Sequence, residues 1–505
     1  MELESPLMAS LVALGLFVFV MYRLLASSSS QVNLPPGPRK LPIIGNMHQL
    51  SGLPHRCLAE FAKQYGPLMH LQLGEISAVV ASTPEAAREI TKTHDTVFAQ
   101  RPFLLAADIM FYHFRNIAFA PCGDYWRNLR KMANLEMLSA GRVQSFRSIR
   151  EDEVSELVAY IASNAGSLVN VSEKIFAMTY NITSRAAFGN KCEEIDEFVS
   201  YVREAVRLAG GFSPADLFPS YKFLHSFGQV RPRLEALHKP IDRILVKILN
   251  EHRERKEIKK NSGEQEDLVD VMLKCQGNWE GHLPLTDNDI KANVLDTFSA
   301  GSETSSTTLE WAMAELLKNP TALNKAQSEV REAFSELGKV DEARINELKF
   351  LKLVIKETLR LHPPAPLLVP RECGSDCKVL GYDIPVKTKV MINAWAIGRN
   401  PDYWNEPEKF FPERFLDSSI DYKGTSFEFI PFGAGRRICP GMLFGIANIE
   451  LPLASLLYHF DWQLPDGAKT EDLDMTEAPG ATVTKKVNLN LVPIPYRPVP
   501  TEASH

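Results

Sequence analysis

The sequence predicts a mainly α-helical protein with small β-sheets. Three observations carry this reading. Helical spacing of apolar residues dominates between about Pro54 and Leu361. β-type segments are confined to short stretches near Leu68–Ala81 and Lys378–Asn393. The tail after Asp474 reads as further strand and turn. With 505 residues, of which 45% are hydrophobic and 23% charged, the chain can bury a large core. Length alone suggests about three domains. A formal net charge of -6 leaves no global basic excess, which argues against nucleic acid as a partner. The seven cysteines form no CxxC pair, which suits a reducing, cytosol-facing environment.

In chain order, the first element is a segment without charge from Ser5 to Tyr22. About 20 apolar residues span a bilayer core, so residues 5–25 are expected to form a transmembrane anchor. A cleaved signal peptide would carry a shorter apolar stretch behind a basic residue. Here Glu2 and Glu4 precede the segment, while Arg23, Arg39 and Lys40 follow it. The positive-inside rule then leaves the N-terminus lumenal and everything after the anchor in the cytosol. The sequons at Asn170 and Asn181 would stay unmodified there. Residues 26–40 read as a serine linker followed by a hinge stiffened by Pro35, Pro36 and Pro38. Residues 41–505 form the remainder, and the charged stretch Glu251–Asp267 within it reads as a solvated helix end and loop.

One helix is expected to run from an N-cap at Thr286 to Leu317, roughly 45 Å at 1.5 Å per residue. Its middle, "FSAGSETSSTT", holds Gly301 and a cluster of hydroxyl residues, all poor helix formers. A packing glycine with back-bonded hydroxyls is one explanation and a functional groove is the other. The second unusual stretch is "PFGAGRRICPG", Pro431–Gly441. Gly433 and Gly435 permit positive φ, and Gly441 opens an apolar helix carrying Pro452. Cys439 just before a helix N-terminus, beside Arg436 and Arg437, is expected to have a lowered thiol pKa. A stabilised thiolate suits a nucleophile, a structural metal ligand or the axial ligand of a haem iron. No zinc-type ligand cluster accompanies it. A haem requires one thiolate and cations for two propionates, and so uses each odd feature of the loop.

"FGAGRRICPG" resembles the F-x-x-G-x-R-x-C-x-G signature of the cytochrome P-450 haem-thiolate monooxygenases through Phe432, Gly435, Arg437, Cys439 and Gly441. In the family's order, "AGSETS" at Ala300–Ser305 resembles its oxygen-activation motif, and "KETLR" supplies the E-x-x-R pair Glu357 and Arg360. "FFPERF" carries Arg414, and "WRNLR" carries Trp126 and Arg130. The resemblance extends over nearly the whole chain and is to plant microsomal members. It implies one large catalytic domain with the cytochrome P-450 fold over residues 41–505. It further implies haem b held by Cys439 as axial thiolate, whose electron donation favours O–O cleavage. Trp126, Arg130, Arg371 and Arg437 would hold the propionates. Thr304 and Glu303 would deliver protons, with Gly301 making room for dioxygen. Glu357, Arg360 and Arg414 would form a buried structural network.

The same resemblance implies O2 and NADPH-derived electrons as co-substrates. The electrons would come through NADPH-cytochrome P-450 reductase or a cytochrome b-type donor, docking near Arg127, Arg130, Lys131 and Arg436. It also implies an endoplasmic reticulum location. A substrate pocket is expected from Phe103, Ile109 and Phe111 in the roof, and from Asp296, Phe298, Ser299 and Ala300 on the long helix. Leu367, Leu368 and Val369 would form one wall, and Thr482 would lie in the turn Ala478–Val483. The local style favours hydroxylation or epoxidation of a sesquiterpenoid or diterpenoid, with alkaloids, phenolics and fatty acids as alternatives. A haem-thiolate isomerase or dehydratase and a non-catalytic haem protein are the competing classes, and the Glu303-Thr304 pair argues against both.

Overall fold

The computed structural model describes residues 32–189, 194–209, 213–221, 229–259, 266–278 and 284–496, together with residues 10, 13–19 and 21. The principal helices are α1 (Pro54–Tyr65), α2 (Asp124–Met132), α3 (Arg147–Ser163), α4 (Val171–Phe188), α5 (Ile195–Ala209), α6 (Val230–Lys259), α7 (Asp287–Lys318), α8 (Pro320–Ala333), α9 (Lys349–Leu361) and α10 (Met442–His459). The strands are β1 (Leu68–Leu73), β2 (Ile76–Ala81), β3 (Val169–Asn170), β4 (Arg371–Glu372), β5 (Cys377–Val379), β6 (Tyr382–Ile384), β7 (Lys389–Ile392), β8 (Phe460–Gln463) and β9 (Asn490–Pro495).

α7 is the axis of the helical layer. Thr286 and Asp289 form a reciprocal capping box, so two donors that α-helix geometry leaves free are satisfied at its start. Its second half, from Ser305 to Leu317, is buried on every side. α4 and α10 both pack against it. One continuous apolar cluster runs through α3, α4, α7, α9 and α10. α10 carries Pro452 in its interior and is the one helix among the described residues long and apolar enough to cross a membrane. Most of it is buried, which marks it as a core helix.

The strands form small sheets at the periphery. β1 and β2 pair antiparallel from Leu68↔Ala81 to Leu73↔Ile76. β2 runs parallel to β7, and β7 is antiparallel to β4, giving the order β1-β2-β7-β4. A second sheet has the order β3-β9-β8, and β5 and β6 make a separate hairpin. Both sequence-predicted β regions are therefore strands. The proline-rich stretch is laid against β1, with the His70 N–H donating to the Pro36 carbonyl at 2.9 Å. A Cβ at Gly37 would sit 2.0 Å from the His70 oxygen, so that close approach needs glycine. Residues 13–19 are helical, with Leu14, Phe17 and Val18 exposed, as are Ser10 and Met21, and the other residues of the expected anchor lie outside the described residues, as does most of the serine linker.

Candidate active site

Cys439 stands in a loop whose shape is set by glycines. Gly433 and Gly435 adopt φ of +73° and +68°. A Cβ at Gly435 would lie 2.0 Å from the Thr91 carbonyl oxygen, so no other residue fits there. The Cys439 N–H closes the loop by donating to the Phe432 carbonyl at 2.9 Å, and Phe432 packs edge-on against Tyr422. Gly441 then N-caps α10. The expected lowering of the Cys439 pKa is not what the structure gives. Burial pushes the thiol up, against a Gly441 backbone hydrogen bond and the Arg130 charge, which lower it. Helix-end potential is a fraction of a charge, and removing a thiolate from water outweighs it. The thiolate therefore needs a full positive partner, which fits a metal ligand better than a free nucleophile.

α7 faces this thiol. Its burial pattern breaks at Asp296, Thr297, Ser299, Ala300, Gly301, Glu303 and Thr304, of which Asp296, Ser299, Ala300, Glu303 and Thr304 recur at helical spacing on one side. Ala300 is exposed in the middle of a helix otherwise enclosed by protein. The charges of Asp296 on α7 and Arg130 on α2 both act on the Cys439 thiol, so the two walls look across one internal space. Thr304 donates its hydroxyl to the Ala300 carbonyl at 2.7 Å, which leaves its oxygen lone pairs free to accept a hydrogen bond. Burial pushes the Glu303 carboxyl up to about 7, with the Arg203 charge opposing. It joins no ion pair among the described residues. Gly301 is oriented otherwise than expected. A Cβ there would come 3.2 Å from the Phe444 ring and 3.4 Å from Thr183, so this glycine lets α4 and α10 approach α7 rather than making room for dioxygen.

Four guanidinium groups meet at one end of the space. Arg437 donates to the carbonyls of Ala99, Ile117 and Ala120 at 2.9, 3.2 and 2.6 Å, and lies 4.1 Å over the Trp126 ring. The Trp126 indole N–H donates to the Ile117 carbonyl at 3.1 Å. Arg371 donates Nη2 to the Ala434 carbonyl at 2.7 Å, while its buried Nη1 makes no hydrogen bond and lies 3.7 Å from the Asp95 carboxylate. Burial pushes Arg371 down to about 10. Arg437 is also pushed to about 10, by burial and by the neighbouring Arg371 and Arg130 charges. The fourth member, Arg101, was not singled out from sequence. It donates to the carbonyls of Ala118, Val369 and Pro370, and burial together with Arg437 and Arg371 pushes its pKa well down. Its sequence signal was slight: one cation at the edge of the apolar roof, just before Pro102.

Buried like charges destabilise one another unless anions join them. A cluster of arginines whose one ion-pair partner among the described residues is Asp95, with an Arg371 N–H that makes no hydrogen bond, a half-buried thiol that needs a positive partner and a broken helix face together fit a haem. Cys439 would hold its iron, and Arg101, Arg130, Arg371, Arg437 and Trp126 its propionates.

Behind Glu303 and Thr304, the E-x-x-R pair is fully buried. Arg360 makes a two-pronged contact with Glu357 at 2.7 and 2.8 Å, and also donates to the carbonyls of Gly398, Pro407 and Lys409. Arg414 and the Phe411 N–H reach the same Glu357 carboxylate at 2.9 and 2.8 Å.

The family model for cytochrome P-450 matches residues 35–491. The chain belongs to the cytochrome P-450 family. This cytochrome P-450 is 53% identical to desmethyl-deoxy-podophyllotoxin synthase of Sinopodophyllum hexandrum, over 97% of each chain. It is 52% identical to premnaspirodiene oxygenase of Hyoscyamus muticus, over 95% of this chain and 97% of that one. It is 51% identical to 5-epiaristolochene 1,3-dihydroxylase of Nicotiana tabacum, over 95% and 97% respectively. A zebrafish cytochrome P-450 solved with progesterone superposes with a TM-score of 0.76 at 26% identity, covering 88% of this chain and all of that one. The chain is thus a haem-thiolate monooxygenase of the plant type its motifs resemble.

A cavity of about 300 Å³ adjoins the site. Phe111, Ser299, Leu367, Leu368 and Val369 line it, together with Pro479 and Ala481 of the turn Ala478–Val483. Other expected members are elsewhere. Phe298 points away from the open face of α7, into a buried aromatic cluster with Tyr180, Phe188 and Phe198. Phe103 is 41% exposed and packs edge-on against Phe114. Ile109 packs on the helical core, and Thr482 lies outside the lining while its neighbours Ala481 and Val483 belong to it. Ala300 is exposed on α7 and does not belong to the lining of this cavity. His55, Ser213, Asp216 and Lys389, all unforeseen, line it as well.

Proposed function

We propose that this chain is a membrane-anchored, NADPH-dependent monooxygenase that hydroxylates or epoxidises a small terpenoid, of the sesquiterpene or diterpene class. The observation that carries the substrate reading is the chemistry of the cavity wall. Its polar residues are already hydrogen-bonded inside the protein. His55 meets Glu477 at 3.1 Å, Asp216 accepts from the Leu105 N–H at 2.7 Å, and Ser213 donates to Asp216 at 2.7 Å. Lys389 donates to the Asp216 carbonyl at 3.2 Å, and Ser299 to the Leu295 carbonyl at 2.8 Å. What remains for a ligand is apolar surface from Leu, Ala, Val, Pro and Phe side chains, in a volume at the small end of ligand pockets. A compact hydrocarbon loses nothing on entering such a wall, whereas a polar alkaloid or phenolic would lose hydrogen bonds to water without replacement. Two relatives are named for oxygenation of the terpenes premnaspirodiene and 5-epiaristolochene, which supports the same class. The relative named for a podophyllotoxin derivative makes a phenolic ring system the second reading.

When bound, haem supplies oxygen activation. The chain's own residues supply the rest. Cys439 would hold the iron, the arginine socket would hold the ring's propionates, and Thr304, its own hydroxyl hydrogen donated to the Ala300 carbonyl, offers its oxygen to accept a hydrogen bond. Glu303, with a pKa near 7, exchanges protons with solvent at neutral pH. The apolar cavity excludes water from the reacting carbon. Electrons would come from a reductase docking beside Arg127, Lys131 and Arg436, all on the Cys439 side and outward. Arg127 pairs with Asp124, and Arg436 is 52% exposed and 3.3 Å from Asp95, so both have weak local partners that a docking carboxylate can replace. The exposed apolar residues of segment 13–19 support the endoplasmic reticulum anchor.

The test is a spin-shift titration of the microsomal holoenzyme with sesquiterpenes, diterpenes, phenolics, alkaloids and fatty acids. Turnover with reductase and NADPH follows for any binder. A saturable low-to-high-spin shift with a terpene, and a product one oxygen heavier, is the expected result. A shift confined to phenolic compounds would replace the terpenoid reading with the second one.

A further inference from the structure

The turn that follows the Arg371 strand holds two thiols against each other. Cys373 and Cys377 bring their sulfurs to 4.0 Å, the one mutual thiol contact among the described residues. Cys373 is fully buried and its backbone is pinned: its N–H donates to the Thr388 carbonyl and its carbonyl accepts from the Lys387 N–H. Between the two cysteines, the Gly374 N–H donates to the Val97 carbonyl at 2.8 Å, and Asp376 accepts from the Val386 N–H at 2.6 Å. Cys377 opens β5 and is partly exposed. The frame therefore presents one reachable thiol and one enclosed thiol at van der Waals distance. A disulfide requires the sulfurs to close from 4.0 Å to about 2.05 Å.

We propose that Cys373 and Cys377 are a redox-active dithiol that hydrogen peroxide converts to an intramolecular disulfide, and that this bond tightens the turn carrying Arg371. Peroxide is the by-product when oxygen is reduced without oxygenating substrate. The Cys377 sulfur attacks one peroxide oxygen, the O–O bond breaks, and water leaves once hydroxide takes a proton. The Cys373 sulfur then displaces the oxygen of the resulting sulfenic acid, and a second water departs. Two thiols lose two electrons and two protons, and one peroxide becomes two waters. Burial pushes both thiols up, Cys373 to about 12, so both stand protonated at neutral pH and attack by Cys377 proceeds from its small thiolate fraction. The turn reaches the haem socket along two routes. Arg371 lies two residues before Cys373, and the Glu372 and Gly374 N–H groups hold Gln100 and Val97, next to Arg101.

Trypsin cleaves after Arg371 and Lys378, so both cysteines fall in one peptide, Glu372–Lys378, with no other. The full-length holoenzyme in membranes is treated with hydrogen peroxide, alkylated with iodoacetamide, digested and weighed. The expected peptide is unalkylated and two hydrogens lighter, and dithiothreitol restores it. In Cys373→Ser, Cys377 is expected to stop at a sulfenic acid that dimedone traps. Haem transfer to apomyoglobin is expected to be several-fold slower from the oxidised enzyme than from the reduced. Full alkylation of both cysteines after peroxide, or independent oxidation of each to sulfinate, overturns the dithiol. A disulfide that leaves haem transfer unchanged overturns its link to Arg371.

Discussion

Thr304 and Glu303 are neighbours on α7 with different electrostatic situations. Thr304 is held by a backbone carbonyl and keeps a fixed oxygen at the edge of the internal space. Thr304→Ala is expected to retain haem and to divert NADPH electrons to hydrogen peroxide, which is read as the ratio of peroxide formed to NADPH consumed. A fully coupled variant would remove Thr304 from proton delivery. Glu303 is held up to about 7 by burial, with Arg203 opposing. It is thus mostly protonated at pH 6 and mostly ionised at pH 8. As a proton donor it predicts a turnover rate that falls as pH rises through 7, and Glu303→Gln is expected to flatten that inflection. Both residues were legible in sequence from "AGSETS", but the value near 7 was not, because it depends on what α4 and α5 place around the carboxyl.

Among the elements, α9 is tied to the 398–414 segment by one carboxylate. Glu357 accepts from Arg360, Arg414 and the Phe411 N–H, so its removal leaves two guanidinium groups without their anion in a buried site. Breaking one partner of such a pair costs about 3–5 kcal/mol. Glu357→Ala is expected to abolish haem incorporation, read from the absence of a thiolate-haem carbon monoxide band. Normal haem content would relegate the network to decoration. α1 is tied to the C-terminal turn in the same manner. Burial pushes the Glu477 carboxyl up, but hydrogen bonds from His55 and Arg56 more than offset it, leaving about 2. Because the folded pKa is depressed, the stabilisation is complete above the unfolded carboxylate pKa and fades as pH falls from about 4.5 towards 2. It amounts to on the order of 3 kcal/mol. Glu477→Gln is expected to lower the melting temperature at pH 7 and to narrow the gap between pH 7 and pH 3. The E-x-x-R spacing announced the first clasp. The second joins residues more than 400 positions apart, and no local pattern marks it.

At the scale of the whole molecule, the proposed topology places the N-terminus in the lumen and the helical body in the cytosol. A glycosylation acceptor appended before Met1 is expected to be modified in microsomes, while Asn170 and Asn181 stay bare. Modification of either native asparagine would invert the orientation. The sequence by itself determined the family, the glycine loop around Cys439, the capped central helix and the two β regions, because glycine turns, caps and charge spacings are local in the chain. Only the tertiary structure decided which way those residues look. Helix phase sent Phe298 into an aromatic cluster and left Ala300 exposed. Helix crossing assigned Gly301 to packing, and burial raised the Cys439 thiol that its helix end alone would lower. Arg101 joined the cationic socket, and the polar residues around the cavity found partners within the protein. Each depends on groups distant in sequence, and burial and charge act through space, not along the chain.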